Sequence, residues 1–364
     1  MKIIKAKETM NAKTRVQKTF AHEKTDRVTI GYGSNPGIDQ RLKEALGVKN
    51  DEELLNALGV DYRKLDVRYI GRKLYEDIPG RKRRELEGNI MRWVEHSSGG
   101  YWDNCDFPLQ DASDELFDTF PVPNPDDFDY QAALDEAKAI GKEMGIYIGD
   151  AHYPDIINSN GRLMGMEDVL CHLLTGYEPA MRFMHRKADY MLKVLERQLE
   201  TCKEYIDFIW LGEDLGTQRG PMISMELYRN VMKPIHKKFI DLAKSYNKPS
   251  IIHTCGSSSW VYNDLIEMGI SGVDTLQPEA VNMSPEYLKA TFGNKLCYRG
   301  CISTGGPLAF GTADETTDVV RKTLEIMMDG YGYHFAPAHA IQDNTPTENV
   351  IAMYQAAHTY GVYR

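Results

Sequence analysis

The sequence predicts an α/β fold, a single (β/α)8 TIM barrel carrying an N-terminal helical extension. Three observations support this. Short apolar runs recur through the C-terminal two thirds of the chain, each followed by an amphipathic stretch, several of which close on a glycine such as Gly269 or Gly330. Runs buried on both faces and separated by helices indicate parallel βαβ units. Polar and ionisable residues also recur just after these runs, the position at which a barrel gathers its chemistry. The alternative is an open doubly wound sheet, which usually carries a glycine-rich phosphate loop after an early strand. The nearest candidate, "IGYGSNPG", lacks the GxGxxG spacing and an immediate helix.

The elements follow in order. Residues 8–22 are helical in character, and "DRVTIGYG" (26–33) is the first strand. Residues 80–130 read as loop-rich. The helix "QAALDEAKAIGKEMG" starts after Asp126 or Asp127, where prolines and acidic residues suit a helix start. "GIYIG" (145–149) is a strand, and 166–204 is helical with a break at Gly176 to Pro179. "IDFIWLG" (206–212), "SIIHT" (250–254), "GVDTLQ" (272–277), "KLCYRG" (295–300) and "YHFAP" (333–337) are strands. The segments 224–247, 258–269, 285–293, 312–330 and 346–361 are the intervening and closing helices. No repeat or linker divides the chain, so residues 1–364 read as one domain, with 1–27 as the extension.

Composition narrows the function. Hydrophobic residues at 42% and charged residues at 26% describe an ordinary globular chain that can bury a large core without staples. A net charge of −10 argues against a nucleic-acid partner, which needs a basic face. No run approaches the ~18 apolar residues of a membrane span. The six cysteines are scattered, as free thiols are, and "MKIIKAKETMNAKTRVQKTF" lacks the apolar segment of a signal peptide. A cytoplasmic protein is expected. A homodimer is compatible with a barrel enzyme, although no helix pattern marks a seam.

Strand ends supply the candidate site. Tyr32, Asp150, His152, Glu213, Asp214, His253, Cys255, Gln277, Cys301, His339 and Gln342 all follow or end strands. Residues i and i+2 of a strand face the same way, so His253 and Cys255 can project together. Imidazole and thiolate are preferred zinc ligands, but free cysteine is also often simply buried. His339 is the next candidate metal donor and Glu213 the one after, with Cys301 as a further option. Each has a plainer reading: His339 as a hydrogen-bonded histidine, Glu213 and Asp214 as helix caps or partners of Arg219 or Lys233. Asp150, Asp214 and His339 are the candidate catalytic groups. Tyr32, Trp93 and Trp102 suggest an aromatic substrate wall or core packing, and Gln277 and Gln342 add polar substrate contacts. "DAHYPD" (150–155) begins like the Asp-x-His-x-x-Gly motif that binds cobalamin, but Asp155 stands where glycine is required.

Five stretches together resemble the uroporphyrinogen decarboxylase superfamily. They are "HEKTDRV", "GEDLGTQRGPMIS" (212–224), "HTCGS" (253–257), "LKATFGNKLCYRGCIST" (288–304) and "GYHFAPAHAIQDNTPTENVIAMYQA" (332–356). The resemblance implies a (β/α)8 barrel and favours the cobamide-dependent methyltransferase branch. Decarboxylase members use an N-terminal arginine-rich motif, whereas the matching "GYGSNPGIDQR" has no arginine cluster. Methyltransferase members carry a His-x-Cys zinc motif with a later cysteine. His253 and Cys255 match the first part, and His339 stands in the stretch where the later cysteine falls. The resemblance therefore implies zinc on His253, Cys255 and His339, completed by Glu213, and a corrinoid supplied by a partner protein. The expected reaction moves a methyl group between a small methylated compound, such as a methoxylated aromatic, and that corrinoid. The alternative is a metal-free decarboxylase-like lyase acting on a carboxylated substrate.

Overall fold

The computed structural model describes residues 2–96 and 99–364, and in it the apolar runs become one parallel sheet. In chain order the strands are β1 Thr29–Ile30, β2 Tyr62–Lys64, β3 Lys82–Arg84, β4 Ile90–His96, β5 Gly99–Asn104, β6 Gly145–Pro154, β7 Phe208–Gly212, β8 Ser250–His253, β9 Gly272–Leu276, β10 Cys297–Ile302 and β11 Tyr333–Pro337. Eight of them lie side by side in the order β1-β11-β10-β9-β8-β7-β6-β2, all paired parallel. The sheet closes at Asp61. Its N–H donates to the Ile30 carbonyl at 2.9 Å, and its carboxylate accepts the Ile30 N–H at 2.7 Å. The result is the expected (β/α)8 barrel.

Helices cover the outside because their apolar residues fall on one stripe. The longest, Glu178–Cys202, buries Ala180, Phe183, Met184, Met191, Val194, Leu195 and Leu199. Proline near its start costs no hydrogen bond there. Helix Ala313–Met327 begins with a capping box between Thr312 and Glu315, which satisfies two otherwise orphaned N–H groups. No helix is long and apolar enough to cross a membrane among the described residues.

The barrel interior is packed at one end and open at the other. Helix Ala12–Phe20 sends Val16 and Phe20 against Tyr62, Tyr147, Phe208, Trp210 and Ile251. Tyr147 stacks on Phe208 at 5.1 Å between ring centres. Beside this plug, Arg15 and Arg27 reach the Asp61 carboxylate at 2.5 and 2.7 Å. The N-terminal segment thus closes the floor, and the barrel opens at the carboxyl ends of the strands.

The structure departs from the sequence reading in several places, among them helices Pro36–Leu46, Asp51–Leu58 and Asp114–Thr119, where no helix was expected. Residues 80–130 are not merely loop: β3, β4 and β5 form an antiparallel sheet beside the barrel. Trp93 pairs across strands with Trp102, and their rings meet edge to face at 5.6 Å, an arrangement that stabilises antiparallel pairs. β2, from "YRK", was also not anticipated, because its residues carry no apolar run.

Candidate active site

β8 ends where its chemistry begins. His253 is its last residue and Cys255 follows two positions later, with Nε2 and Sγ 3.4 Å apart. The Cys255 turn is pinned from two sides: its N–H donates to Asp214 at 2.8 Å, and the N–H of Gly256 donates to the Gln277 side chain at 2.6 Å. Gly256 takes φ +68°, and a β-carbon there would lie 2.4 Å from the Gly216 carbonyl oxygen, so the turn requires glycine. His339, beyond β11, brings its ring to 6.0 Å from that of His253. One donor atom each from His253, Cys255 and His339 lies within 4.8 Å of the other two. Two imidazole nitrogens and a sulfur converging with a side left open suit a zinc ion with an exchangeable position.

Behind this cluster stands a buried polar chain that the strand-end reading passed over. His253 Nδ1 lies 2.9 Å from Asp274, whose other carboxylate oxygen accepts from Arg299 at 2.6 Å. Arg299 also donates to the Tyr62 hydroxyl at 2.8 Å and lies over the Trp210 ring at 4.2 Å. Burial works against a charge on Asp274, but Arg299 and His253 outweigh it and hold the carboxyl well below its usual range. An anionic Asp274 can only accept, so Nδ1 carries the proton and Nε2 is left towards Cys255. Thr275 adds a hydroxyl 2.5 Å from the same nitrogen. It does so from φ +60°, a strained conformation for a β-branched residue. Burial likewise opposes a charge on His253, yet Asp274 and Asp214 raise its pKa overall.

Glu213 is not part of the donor cluster, which corrects its expected role as a fourth ligand. Its fully buried carboxylate accepts the N–H groups of Ile156 and Ile157 at 2.7 and 2.9 Å and faces His236 Nε2 at 3.1 Å. It thereby satisfies the first two N–H groups of helix Ile156–Met164, whose N-cap is Asp155. Cys301 is buried within β10 and does not line the cavity.

The other acids divide by environment. Asp150 binds Lys64 at 2.7 Å and the backbone of His152 at 2.8 Å. Burial opposes its charge, but His152 and Lys64 keep it anionic. Asp214 accepts from Cys255 and from Asn158 at 2.8 Å. There too burial is outweighed, by His253 and these donors, and the pKa falls. Asp155 behaves oppositely: burial, with Glu213 next to it, pushes its carboxyl up to about 7. The residue that breaks the cobalamin-type motif therefore holds a proton near neutrality. His339 is held below its usual pKa by burial and by His253.

A cavity of about 440 Å³ at the barrel mouth collects Tyr32, Asp150, Asp155, Asp214, His253 and His339 among its lining residues. An adjoining outer cleft of about 710 Å³ is bordered by Trp102 and Gln342. Of the expected substrate groups, Tyr32 thus lines the inner cavity, with its hydroxyl donating to Asp39 at 2.5 Å. Trp102 and Gln342 flank the outer cleft, while Trp93 packs behind Trp102. Gln277 lines neither and instead holds the Gly256 backbone.

The sequence model of the family described as Uroporphyrinogen decarboxylase (URO-D) matches residues 160–360. A methylated-thiol–coenzyme M methyltransferase of Methanosarcina mazei is 24% identical over 196 residues, 54% of this chain and 49% of that protein. The match therefore spans about half the length of that curated relative. A solved methyltransferase structure from Methanosarcina mazei superposes with a TM-score of 0.66 at 17% identity, covering 96% of this chain and 99% of the other. At that identity the likeness is one of fold.

Proposed function

The chain belongs to the uroporphyrinogen decarboxylase (URO-D) family, and within it we propose a methyltransferase that moves a methyl group between a small methylated compound and the corrinoid of a partner protein. The whole of residues 1–364 acts as one catalytic barrel. The observation that carries this reading is the cluster of His253, Cys255 and His339 at the barrel mouth. Zinc held there would supply a Lewis acid for the heteroatom that bears the methyl group. The name of the Methanosarcina relative, a methylated-thiol–coenzyme M methyltransferase, supports methyl transfer as the reaction class.

The chain's own residues have distinct tasks. Asp274 and Arg299 orient His253 and fix its tautomer, as carboxylate partners of metal-binding histidines do. Asp155 holds a proton at its carboxyl and can deliver it to a departing oxygen or sulfur. Asp214 stays anionic between Cys255 and Asn158 and adds negative charge beside the donors. The barrel walls exclude water from the buried side of the cavity. A methoxylated aromatic is a suitable donor for a cavity of about 440 Å³ walled by Tyr32, Tyr147 and Trp210. The corrinoid arrives on a second protein, because "DAHYPD" lacks the glycine that would bind it here.

The test has two readouts. Metal content by mass spectrometry is expected at about one zinc per chain in the wild type and is expected to be lost in Cys255→Ala. Free reduced cobalamin, mixed with enzyme and a panel of methyl ethers, thioethers and methylamines, is expected to lose its reduced-state absorbance. Absence of zinc in protein purified without chelators, together with release of carbon dioxide from a carboxylated substrate, would replace this reading with the decarboxylase-like one. Against that rival, the only arginines lining the inner cavity among the described residues are Arg162 and Arg299, and Arg299 is already neutralised by Asp274.

A further inference from the structure

Arg162 stands apart from the other charged groups at the barrel mouth. The neighbouring acids each face a cation or imidazole of their own: Asp150 has Lys64 at 2.7 Å, Asp274 has Arg299 at 2.6 Å, and the anionic Asp214 has His253 at 3.8 Å. Arg162 is half-buried, and among the described residues its guanidinium has no ion pair within 4.0 Å and no hydrogen bond. Its field reaches Asp155, but that carboxyl lies beyond ion-pair distance and accepts the backbone N–H of Asn158 instead.

Its position gives this spare charge a direction. Asp155 caps helix Ile156–Met164, and Asp155, Asn158 and Arg162 all line the inner cavity, as i, i+3 and i+7 residues on one helix face do. Arg162 and His339 are also the two residues that line both the inner cavity and the outer cleft. Arg162 therefore sits at the neck between them, with the His253–Cys255–His339 cluster on the inner side. The outer side carries Trp102, Gln342, Asn35 and Asn344, together with one acid, Asp343.

We propose that Arg162 binds a carboxylate on the methyl donor, so that the substrate is a monoanion whose charged end lies at the neck and whose methyl group points to the His253–Cys255–His339 cluster. This inference rests on the methyl-transfer reading and narrows its substrate class. A guanidinium matches a carboxylate with two parallel hydrogen bonds, and removal from bulk water strengthens the pairing. A single uncompensated cation selects one charge. A polycarboxylate would need several, and a neutral or cationic donor would leave Arg162 without a counter-charge.

The test is equilibrium binding to the purified full-length protein by calorimetry, with matched probes that differ only in charge. The pairs are 4-methoxybenzoate with 4-methoxybenzamide, and 3-(methylthio)propanoate with its primary amide. At least one carboxylate is expected to bind wild type about 10-fold or more tightly than its amide. Arg162→Gln is expected to abolish that preference, and Arg162→Lys to retain part of it. The Lys variant keeps the charge at a site where the change disturbs no hydrogen bond, so a folding defect cannot mimic the result. Absence of a charge preference in both pairs, whether the members bind or not, overturns the proposal. So does a preference that survives in Arg162→Gln. Neither zinc content nor methyl transfer is read here, so this inference can fail while the methyltransferase reading stands.

Discussion

His253 and Asp274 form the orienting pair of the site: Nδ1 of the imidazole lies 2.9 Å from a carboxylate that is itself held by Arg299 at 2.6 Å. The pair decides which histidine nitrogen faces Cys255. Replacing the carboxylate with an amide removes the counter-charge for Arg299 and leaves one acceptor oxygen where His253 and Arg299 now use two. Asp274→Asn is expected to weaken zinc binding by about 10–100-fold, measured by competition with a chromogenic chelator. It is also expected to lower the unfolding midpoint, since Arg299 stays buried with its charge uncompensated. Unchanged zinc affinity would show that Asp274 does not support the donor cluster.

Asp155 gives the reaction a predicted pH dependence. Burial, followed by the nearby Glu213, pushes its carboxyl up to about 7. If its protonated form delivers the proton, turnover should fall as pH rises through about 7. Asp155→Asn cannot donate in the same way. The variant is expected to lose about 10²–10⁴-fold in kcat and to lose that descending limb. A variant with a normal rate and the same limb would show that the proton comes from elsewhere, His339 being the next candidate.

How much of this was legible in the sequence follows from where each signal lies. β8 was readable because "SII" is apolar and the chain then breaks at Gly256, and the His253–Cys255 spacing of two follows from strand geometry alone. The hydrophobic strands β7 to β11 and their helices were readable for the same reason. β2 was not, because Tyr62, Arg63 and Lys64 become strand only through pairing with β6, a tertiary fact. Asp274 and Arg299 were missed although a signal existed: each is a charged residue inside a strand buried along its whole length, "GVDTL" and "CYRGCI". A buried charge in a central strand needs a partner, and two in neighbouring strands could have been paired on that ground. Helix capping was one of the two plainer readings of Glu213, but which helix it serves was hidden because its partners, the N–H groups of Ile156 and Ile157, carry no side-chain signature.

Gly256 tests the rigidity of the Cys255 turn. A β-carbon there would meet the Gly216 carbonyl carbon at 2.7 Å as well as its oxygen at 2.4 Å, and neither belongs to a flexible side chain. The left-handed conformation itself costs a non-glycine residue about 1–2 kcal/mol, and the overlap adds to it. Gly256→Ala is expected to destabilise the protein by about 2 kcal/mol or more and to shift Cys255 away from His253. Urea unfolding measures the first effect and zinc stoichiometry the second. A variant with wild-type stability would mean that the turn relaxes without cost.

Glu213 and His236 make stability depend on pH in a way that can be separated by mutation. They face each other at 3.1 Å, both buried. Burial pushes Glu213 up to about 8 from 4.5, against the lowering effect of the Ile157 and Ile156 N–H groups. Burial brings His236 down to about 4 from 6.5. For Glu213 the folded state holds its proton more tightly than the unfolded chain, so its contribution is full below pH 4.5 and is lost as pH rises to about 8. For His236 the folded state favours the neutral ring, so its contribution is full above pH 6.5 and is lost as pH falls to about 4. Between pH 4.5 and 6.5 the two slopes oppose each other, and above 6.5 only that of Glu213 remains. Asp155, raised from 3.8 to about 7, adds a slope of the same sign as Glu213 below its own pKa. Subtracting the Glu213→Gln profile from the wild-type profile isolates the Glu213 term. Wild type is expected to lose about 2 kcal/mol more than Glu213→Gln between pH 6.5 and 8, since each pKa unit is worth about 1.4 kcal/mol. Urea denaturation at the two pH values reads this directly. Equal slopes in the two proteins would mean that Glu213 is already ionised at pH 6.5, paired with a protonated His236 and stabilised by the helix N–H groups it caps.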